Sequence, residues 1–329
     1  MNGLLGGKAR AAPTRAAWLP LPYPQPTIAV NAPPPIGSDW RVAAVRLVSA
    51  ASLARGKAPM FALTDLFSVA DRVALVTGGA TGLGRICAEA LLSAGARVLI
   101  ASRKAEACQA AARELSAIGP CEGFGGTVAD EAGVAALAGE VRARTDKLHI
   151  LVNNAGASWG APFATYPWKA WERVMAVNVA GLFTLTRDLA PLLFAAASVE
   201  RPATVVNLGS VMGSVTQAGN AYAYSASKSA VHHLTRILAA EFAPRQVTVN
   251  AIAPGPFATN MTRFAVGDEA GAARSAKVVP IGRLGRPEDL AGTLLYLAGR
   301  GGAYTTGAIV PVDGGGSAFA PPPLFGEPG

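Results

Sequence analysis

The pattern that most constrains this chain is an alternation. Apolar, β-rich runs stand at 72–76 (RVALV), 97–101 (RVLIA), 148–152 (LHILV), 204–208 (TVVNL), 247–252 (VTVNAI) and 308–312 (AIVPV), with a weaker candidate near 121–128. Alanine-rich stretches with helical periodicity separate them. Runs that are apolar at nearly every position need cover on both faces, and strands that return through helices are parallel. The expected fold is α/β: a doubly wound parallel sheet of about seven strands in a single domain.

That alternation fills residues 60–316. Residues 1–59 differ from it: nine prolines, including "PLPYPQP" and "PPP", block helix and sheet interiors, so a disordered Pro/Arg-rich extension is expected. The extension lacks the apolar core and cleavage pattern of a secretory signal. Its Arg-rich, acid-poor character fits an organellar transit peptide, with "RVAAVRLVSAASLAR" as the amphipathic part; a natural start at Met60 and a binding arm are the other readings. Residues 317–329, with "APPPLFGEP", read as a flexible tail.

The net charge of +8 is misleading until it is divided. Residues 1–59 hold seven basic residues against one acid, Asp39, whereas the rest hold 22 basic and 20 acidic residues. The globular part is nearly balanced and its basic residues are scattered, which argues against a nucleic-acid surface. No apolar run in the sequence reaches the 18 or so residues of a membrane span. Cys87, Cys108 and Cys121 lie far apart without metal-ligand spacing, as expected of thiols in a reducing compartment. The expected location is cytoplasmic, or mitochondrion or plastid if 1–59 is a transit peptide. His149, His232 and His233 lack metal partners at helical spacing and read as structural or surface residues.

The first strand runs into "TGGATGLGR", Thr77 to Arg85, and then a helix. Gly78, Gly82 and Gly84, with Thr81 and Leu83 between and beside them, allow a tight turn and a close approach to a pyrophosphate at a helix N-terminus. Placed after a strand and before a helix, this turn points to a dinucleotide. The next strand should end at the adenosine ribose, where an acid would favour NAD. Ser102, Arg103 and Lys104 stand there instead. A guanidinium suits a 2′-phosphate and hence NADP(H), with NAD(H) the weaker alternative; Arg103 could also simply begin a solvated helix.

In "AYAYSASK" only one of two tyrosines has a lysine at i+4: Tyr224 faces Lys228, while Tyr222 faces Ala226. At an effective dielectric near 20, a charge about 5 Å away is worth roughly 3 kcal/mol, or about two pKa units on a phenol. The spacing therefore predicts a Tyr224 lowered toward neutrality by Lys228. The octapeptide alone also fits a helix start with two packing aromatics.

Taken in order, T-G-x-x-x-G-x-G at 77–84, "NNAG" at 153–156, "VNV" at 177–179, "NLGS" at 207–210, "YSASK" at 224–228 and "APG" at 253–255 resemble the short-chain dehydrogenases/reductases, over about residues 65–315. Within that family the chain is most similar to the bacterial NADPH-dependent β-ketoacyl reductases of the rhamnolipid-pathway type. The resemblance implies a Rossmann-type fold and a set of roles. Tyr224 is the expected catalytic acid/base. Lys228 lowers its pKa and binds the nicotinamide ribose. Ser210 hydrogen-bonds the substrate oxygen, and Asn178 holds a water in a proton relay. Asn154, Ala155 and Gly156 line the cofactor, Pro254 and Gly255 flank the nicotinamide, and Thr259 bonds its carboxamide. The substrate wall is expected from 256–285 together with Trp159 and Phe163, and a homo-oligomer, tetramer or dimer, is implied.

Two positions depart from the family pattern. Thr127-Val128 stands where relatives have Asp followed by Val or Leu, the Asp meeting the adenine amine, with Asp130 too far along. Thr81 stands where NADP-preferring relatives often carry a basic residue. The expected activity is NADP(H)-dependent reduction of a carbonyl, with a 3-oxoacyl thioester on carrier protein or coenzyme A as the small-molecule substrate. The alternatives are a secondary-alcohol, polyol or steroid dehydrogenase, and, from another class, a non-catalytic NADP-binding regulatory protein.

Overall fold

The computed structural model describes residues 62–216, 220–257 and 269–318. The expectations for 1–59, for Thr259 and for the tail beyond 318 lie outside the described residues. A short helix α1 (Leu63–Phe67) leads into the alternation. There follow β1 (Val73–Thr77), α2 (Gly82–Ser93), β2 (Arg97–Ser102), α3 (Ala105–Leu115), β3 (Cys121–Gly125), α4 (Glu131–Arg142) and β4 (Ile150–Asn153). The second half contains α5 (Trp168–Met175), α6 (Leu182–Ala196), β5 (Ala203–Leu208), α7 (Tyr222–Phe242), β6 (Val247–Pro254), α8 (Glu269–Lys277), α9 (Pro287–Ala298) and β7 (Ile309–Val312).

The seven strands form one parallel sheet in the order β3-β2-β1-β4-β5-β6-β7. Their near-continuous apolarity follows from cover on both sides. Ala74, Val76, Val98 and Ile100 face a layer containing α2, α3 and α9. Leu75, Leu99 and Leu151 face α4, α6 and the C-terminal half of α7. The weak third strand has a packing reason: a Cβ at Gly123 would land on the Cys108 carbonyl, so α3 lies directly against β3 and leaves no room for a side chain.

Helices α5 and α6 are joined through a π-helical segment, Ala176–Gly181, that places Asn178 inside. This joined stretch, Trp168–Ala196, is long and apolar enough by length and composition to cross a membrane, although charged residues interrupt it in the sequence. Its buried residues Leu182, Leu185, Leu189 and Leu193 recur at the spacing of a helix packed on a sheet.

Strand β1 lies between β2 and β4, so the chain reverses direction across the sheet after β3. A crevice opens at the carboxyl ends of the strands at such a reversal. Below it, at the strands' other end, the buried Arg72 guanidinium donates to the carbonyls of Ala298 (2.9 Å), Arg201 (3.2 Å) and Pro202 (2.5 Å), tying α9 and β5 to β1.

Candidate active site

The crevice is a cleft of about 440 Å³ walled by the turns after β1, β2, β3, β4 and β5 and by the start of α7. The turn after β1 is its floor. Gly78 (φ 68°) and Gly82 (φ 56°) occupy the left-handed region that favours glycine. A Cβ at Gly84 would fall on the Gly78 carbonyl and the Asn154 amide. Thr81 caps α2 without a side-chain hydrogen bond to the helix, so the first-turn N–H groups face the cleft unspent. This is the geometry a phosphate needs.

Thr77 stitches the turn to β4. Its Oγ1 accepts from the backbone N–H of Asn154 (3.0 Å) and of Ala155 (3.0 Å) and donates to the Val152 carbonyl (3.3 Å). The Asn154 amide returns to the Thr77 carbonyl (2.8 Å) and reaches that of Gly78 (3.3 Å). Asn154, Ala155 and Gly156 are thereby fixed on the cleft wall beside Gly78, Thr81, Gly82 and Leu83.

At the far end stand Ser102 and the exposed Arg103. The Ser102 hydroxyl accepts from the Cys108 thiol at 3.1 Å. Thr127 and Val128 line this end too. Asp130 is occupied elsewhere: it caps α4, its Oδ1 accepting from the Gly133 N–H at 2.8 Å. The charged side chains among the described lining residues are Arg103, Arg173 and Lys228, all basic. Arg173 and Val177, one turn apart on one face of a helix, and Leu208 and Gly209, at the end of β5, were missed in the sequence. Their signals were the i, i+4 spacing in "ERVMAV" and the two residues before Ser210.

At the other end, the first turn of α7 presents Tyr224, and Lys228 follows one turn on, its Nζ 5.6 Å from the centre of the phenol ring. The lysine is buried, and its ammonium donates to the Leu208 carbonyl at 2.5 Å. Burial pulls its pKa down to about 8. Burial also raises the Tyr224 pKa above that of an ordinary phenol, and a hydrogen bond with Ser210 partly offsets this. The expected lowering of Tyr224 by Lys228 is therefore corrected. Desolvation of the phenol is the larger effect, and the ammonium stands over the ring, 5.6 Å from its centre.

Ser210 is buried and caps a short turn, Val211–Gly213, its Oγ accepting from the Met212 N–H at 3.2 Å. Asn178 sits behind the wall. Its Oδ1 accepts from the Ala157 N–H (2.7 Å), and its amide donates to the Ala157 carbonyl (2.9 Å) and to Ser227 Oγ (2.8 Å), which donates to the Tyr224 carbonyl (2.7 Å). Gly84, Asn178 and Ser210 thus support the cleft from behind. Pro254 and Gly255 lie outside its wall, where a Cβ at Gly255 would meet Asp313.

An aromatic cluster gathers around Tyr222, two residues before Tyr224. Tyr222 meets Phe163 edge-on at 5.8 Å and Tyr166 at 5.3 Å, and Tyr166 meets Trp171 at 6.0 Å. The Tyr166 hydroxyl accepts from the Ala223 N–H (3.3 Å) and donates to the Trp159 carbonyl (3.4 Å). Phe163 is 81% exposed and Trp159 43%, a large apolar surface beside a polar cleft.

A glycine cradle at a sheet reversal, opening onto a tyrosine and a buried lysine with a buried serine behind them, defines a nucleotide-dependent oxidoreductase architecture. The sequence profile described as Enoyl-(Acyl carrier protein) reductase matches residues 78–317, and the chain belongs to the short-chain dehydrogenase/reductase family. It is 48% identical over 252 residues to the rhamnolipids biosynthesis 3-oxoacyl-[acyl-carrier-protein] reductase of Pseudomonas aeruginosa, covering 76% of this chain and 97% of that one. Galactitol 2-dehydrogenase (L-tagatose-forming) of Cereibacter sphaeroides is 39% identical over 252 residues, covering 76% and 96%. Among solved structures, the Pseudomonas aeruginosa RhlG/NADP active-site complex superposes with a TM-score of 0.75 at 46% identity, covering 77% of this chain and 99% of that one.

Proposed function

We propose that this chain is an NADP(H)-dependent reductase that converts the keto group of a 3-oxoacyl thioester to a secondary alcohol. The observation that carries the reading is the meeting, in one cleft, of a phosphate cradle, an all-basic set of charged side chains and a tyrosine–lysine pair. The cradle at Gly78–Gly84 would hold the pyrophosphate, and Ser102 and Arg103 the 2′-phosphate, with no acid on the lining to repel it. Thr127 and Val128 would take the adenine. Held there, NADPH would supply the hydride for the carbonyl carbon.

The protein's own part is the proton and the carbonyl oxygen. Tyr224, with its pKa raised, stays protonated at neutral pH and so carries the proton the developing alkoxide needs. Ser210 donates a hydrogen bond to that oxygen and orients it toward the phenol. Lys228, buried and anchored on Leu208, would bind ribose hydroxyls and restore the phenol's proton. Asn178 fixes Ala157 and the first turn of α7 in one network, which keeps the phenol and the cofactor wall in register. A water held near Asn178, completing a relay, is part of this reading.

The aromatic cluster favours an acyl chain over a polyol: Phe163, Tyr222 and Trp159 offer carbon surface where a sugar would need hydroxyl partners. The 3-oxoacyl-carrier-protein reductase relative points the same way. The galactitol dehydrogenase relative keeps a polyol as the second reading. The catalytic unit is read as residues 60–316, acting in the cytoplasm as a homo-oligomer. An NADPH-oxidation screen decides: acetoacetyl-CoA and longer 3-oxoacyl thioesters should be turned over, and tagatose should not. Turnover of tagatose with inert thioesters would select the second reading.

A further inference from the structure

Helix α7 carries a third polar residue on the face of Tyr224 and Lys228. His232 lies one turn past Lys228, is buried, and has the one buried side-chain nitrogen or oxygen, Nε2, that lacks a hydrogen-bond partner among the described residues. Its other nitrogen, Nδ1, is 3.2 Å from Ser214 Oγ. A Cβ at Gly209 would fall on Nε2, and one at Gly213 would come within 2.8 Å of the ring's Cε1. The imidazole thus touches both ends of the segment 209–214, in which Ser210 directly follows Gly209. That segment is also held by the Gly209 N–H donating to the Ile252 carbonyl (2.8 Å), by bonds within the turn such as the Gly213 N–H donating to the Ser210 carbonyl (2.9 Å), and by the Ser229 hydroxyl of α7 donating to the Gly213 carbonyl (2.8 Å).

The orphan nitrogen fixes the tautomer. A buried N–H without an acceptor costs more than a lone pair without a donor, so the proton belongs on Nδ1, donated to Ser214. Burial, aided by Lys228 and Arg236 on the same helix, pulls the ring's pKa down to about 4 and keeps it neutral. Segment 209–215 and β6, packed against it, bring no titratable side chain.

We propose that His232 is a positioning residue for the reaction: its neutral ring wedges beneath the 209–214 turn and sets the depth at which the Ser210 hydroxyl meets the Tyr224 phenol and the carbonyl oxygen. This rests on the carbonyl-reduction reading. Tyr224, Lys228 and His232, spaced by four, then let one helix face place the acid, its ammonium neighbour and, through the turn, the serine.

The test compares four variants: His232→Phe, which keeps a ring but loses Nδ1–H; Ser214→Ala; the double variant; and His232→Asn, whose amide still reaches Ser214. Ser210→Ala and Tyr224→Phe serve as references. NADPH oxidation with acetoacetyl-CoA is followed across pH, and NADPH binding is measured separately by fluorescence.

His232→Phe should lower kcat about tenfold to a hundredfold, the worth of a displacement of roughly 1 Å at a reacting centre, with NADPH affinity unchanged. Reduction needs a protonated phenol, so activity falls as pH rises through the phenol's pKa. Ser210 holds that pKa down, so a displaced Ser210 moves the limb upward, as in Ser210→Ala. Ser214→Ala should move it the same way, the double variant should be no worse than His232→Phe, and His232→Asn should recover most of kcat. A kcat within about twofold of wild type and an unmoved limb in both His232→Phe and Ser214→Ala, with Tyr224→Phe inactive, overturns the proposal alone. If His232→Phe does not fold, the exposed Ser214→Ala decides. Normal turnover by Tyr224→Phe would instead overturn the carbonyl-reduction reading.

Discussion

Replacing Thr77 with Val would test whether the cleft depends on the clamp between β1 and β4. The two side chains have nearly the same shape, so the change removes a hydroxyl and little else. Two backbone N–H groups lose an acceptor, but unequally. The Asn154 N–H still reaches the Val152 carbonyl at 3.1 Å, whereas the Ala155 N–H, which bonded Thr77 at 3.0 Å, is left without its partner. One unsatisfied, partly buried donor costs about 1–2 kcal/mol, at the lower end of the usual range. For a domain of this size that is a fall in Tm of about 2–8 °C. Freed of the clamp, residues 154–156 must be ordered by the cofactor itself, which should weaken NADPH binding about tenfold. Thr77→Ser keeps the hydroxyl and loses one buried methyl, about 0.8 kcal/mol, with NADPH affinity retained. Urea unfolding with an unchanged m value, and NADPH titration by fluorescence, give the two numbers. Wild-type stability and affinity in Thr77→Val would refute the clamp, as would equal loss of affinity in Thr77→Ser.

Arg103→Glu should weaken NADPH binding about tenfold to a hundredfold, the worth of a charge-assisted contact, and change NADH binding little. A wild-type preference for NADH would remove that assignment. His149, whose Nδ1 accepts from the Val73 N–H at 3.1 Å, has its pKa pulled down from 6.5 to about 4 by burial. In that window the unfolded chain binds a proton the folded chain refuses, so stability is present above pH 6.5 and falls as pH drops toward 4. His149→Asn, which keeps an acceptor for Val73, should lessen the dependence on pH of the urea midpoint by about half, since His232, also pulled down to about 4, contributes in the same window; an unaltered slope would speak against a part for His149.

The strands were legible because a sheet covered on both faces leaves no polar alternation to confuse, and the glycine turn because few residues tolerate its backbone. β3 was faint because Gly123 answers to the helix above it, a contact between segments that local pattern cannot show. Asp130 reads as too far along to meet the adenine, and its carboxylate is spent on its own helix. The i+4 spacing correctly paired Tyr224 with Lys228, but the sign of the phenol's shift depends on depth, and depth is a property of packing. Tyr222 could be told from Tyr224 by spacing alone. Its partners Phe163 and Tyr166, far away in the chain, could not be read from it.

The central claim is that Tyr224 delivers the proton. It is tested most directly by the pH dependence of kcat for NADPH-driven reduction of acetoacetyl-CoA in Tyr224→Phe and Tyr222→Phe. Tyr224→Phe should lower kcat by roughly 10²- to 10⁴-fold with NADPH binding largely retained, whereas Tyr222→Phe, about 200° around the helix, should keep most activity and the wild-type profile. An inactive Tyr222→Phe beside a Tyr224→Phe with an unchanged profile would contradict the account.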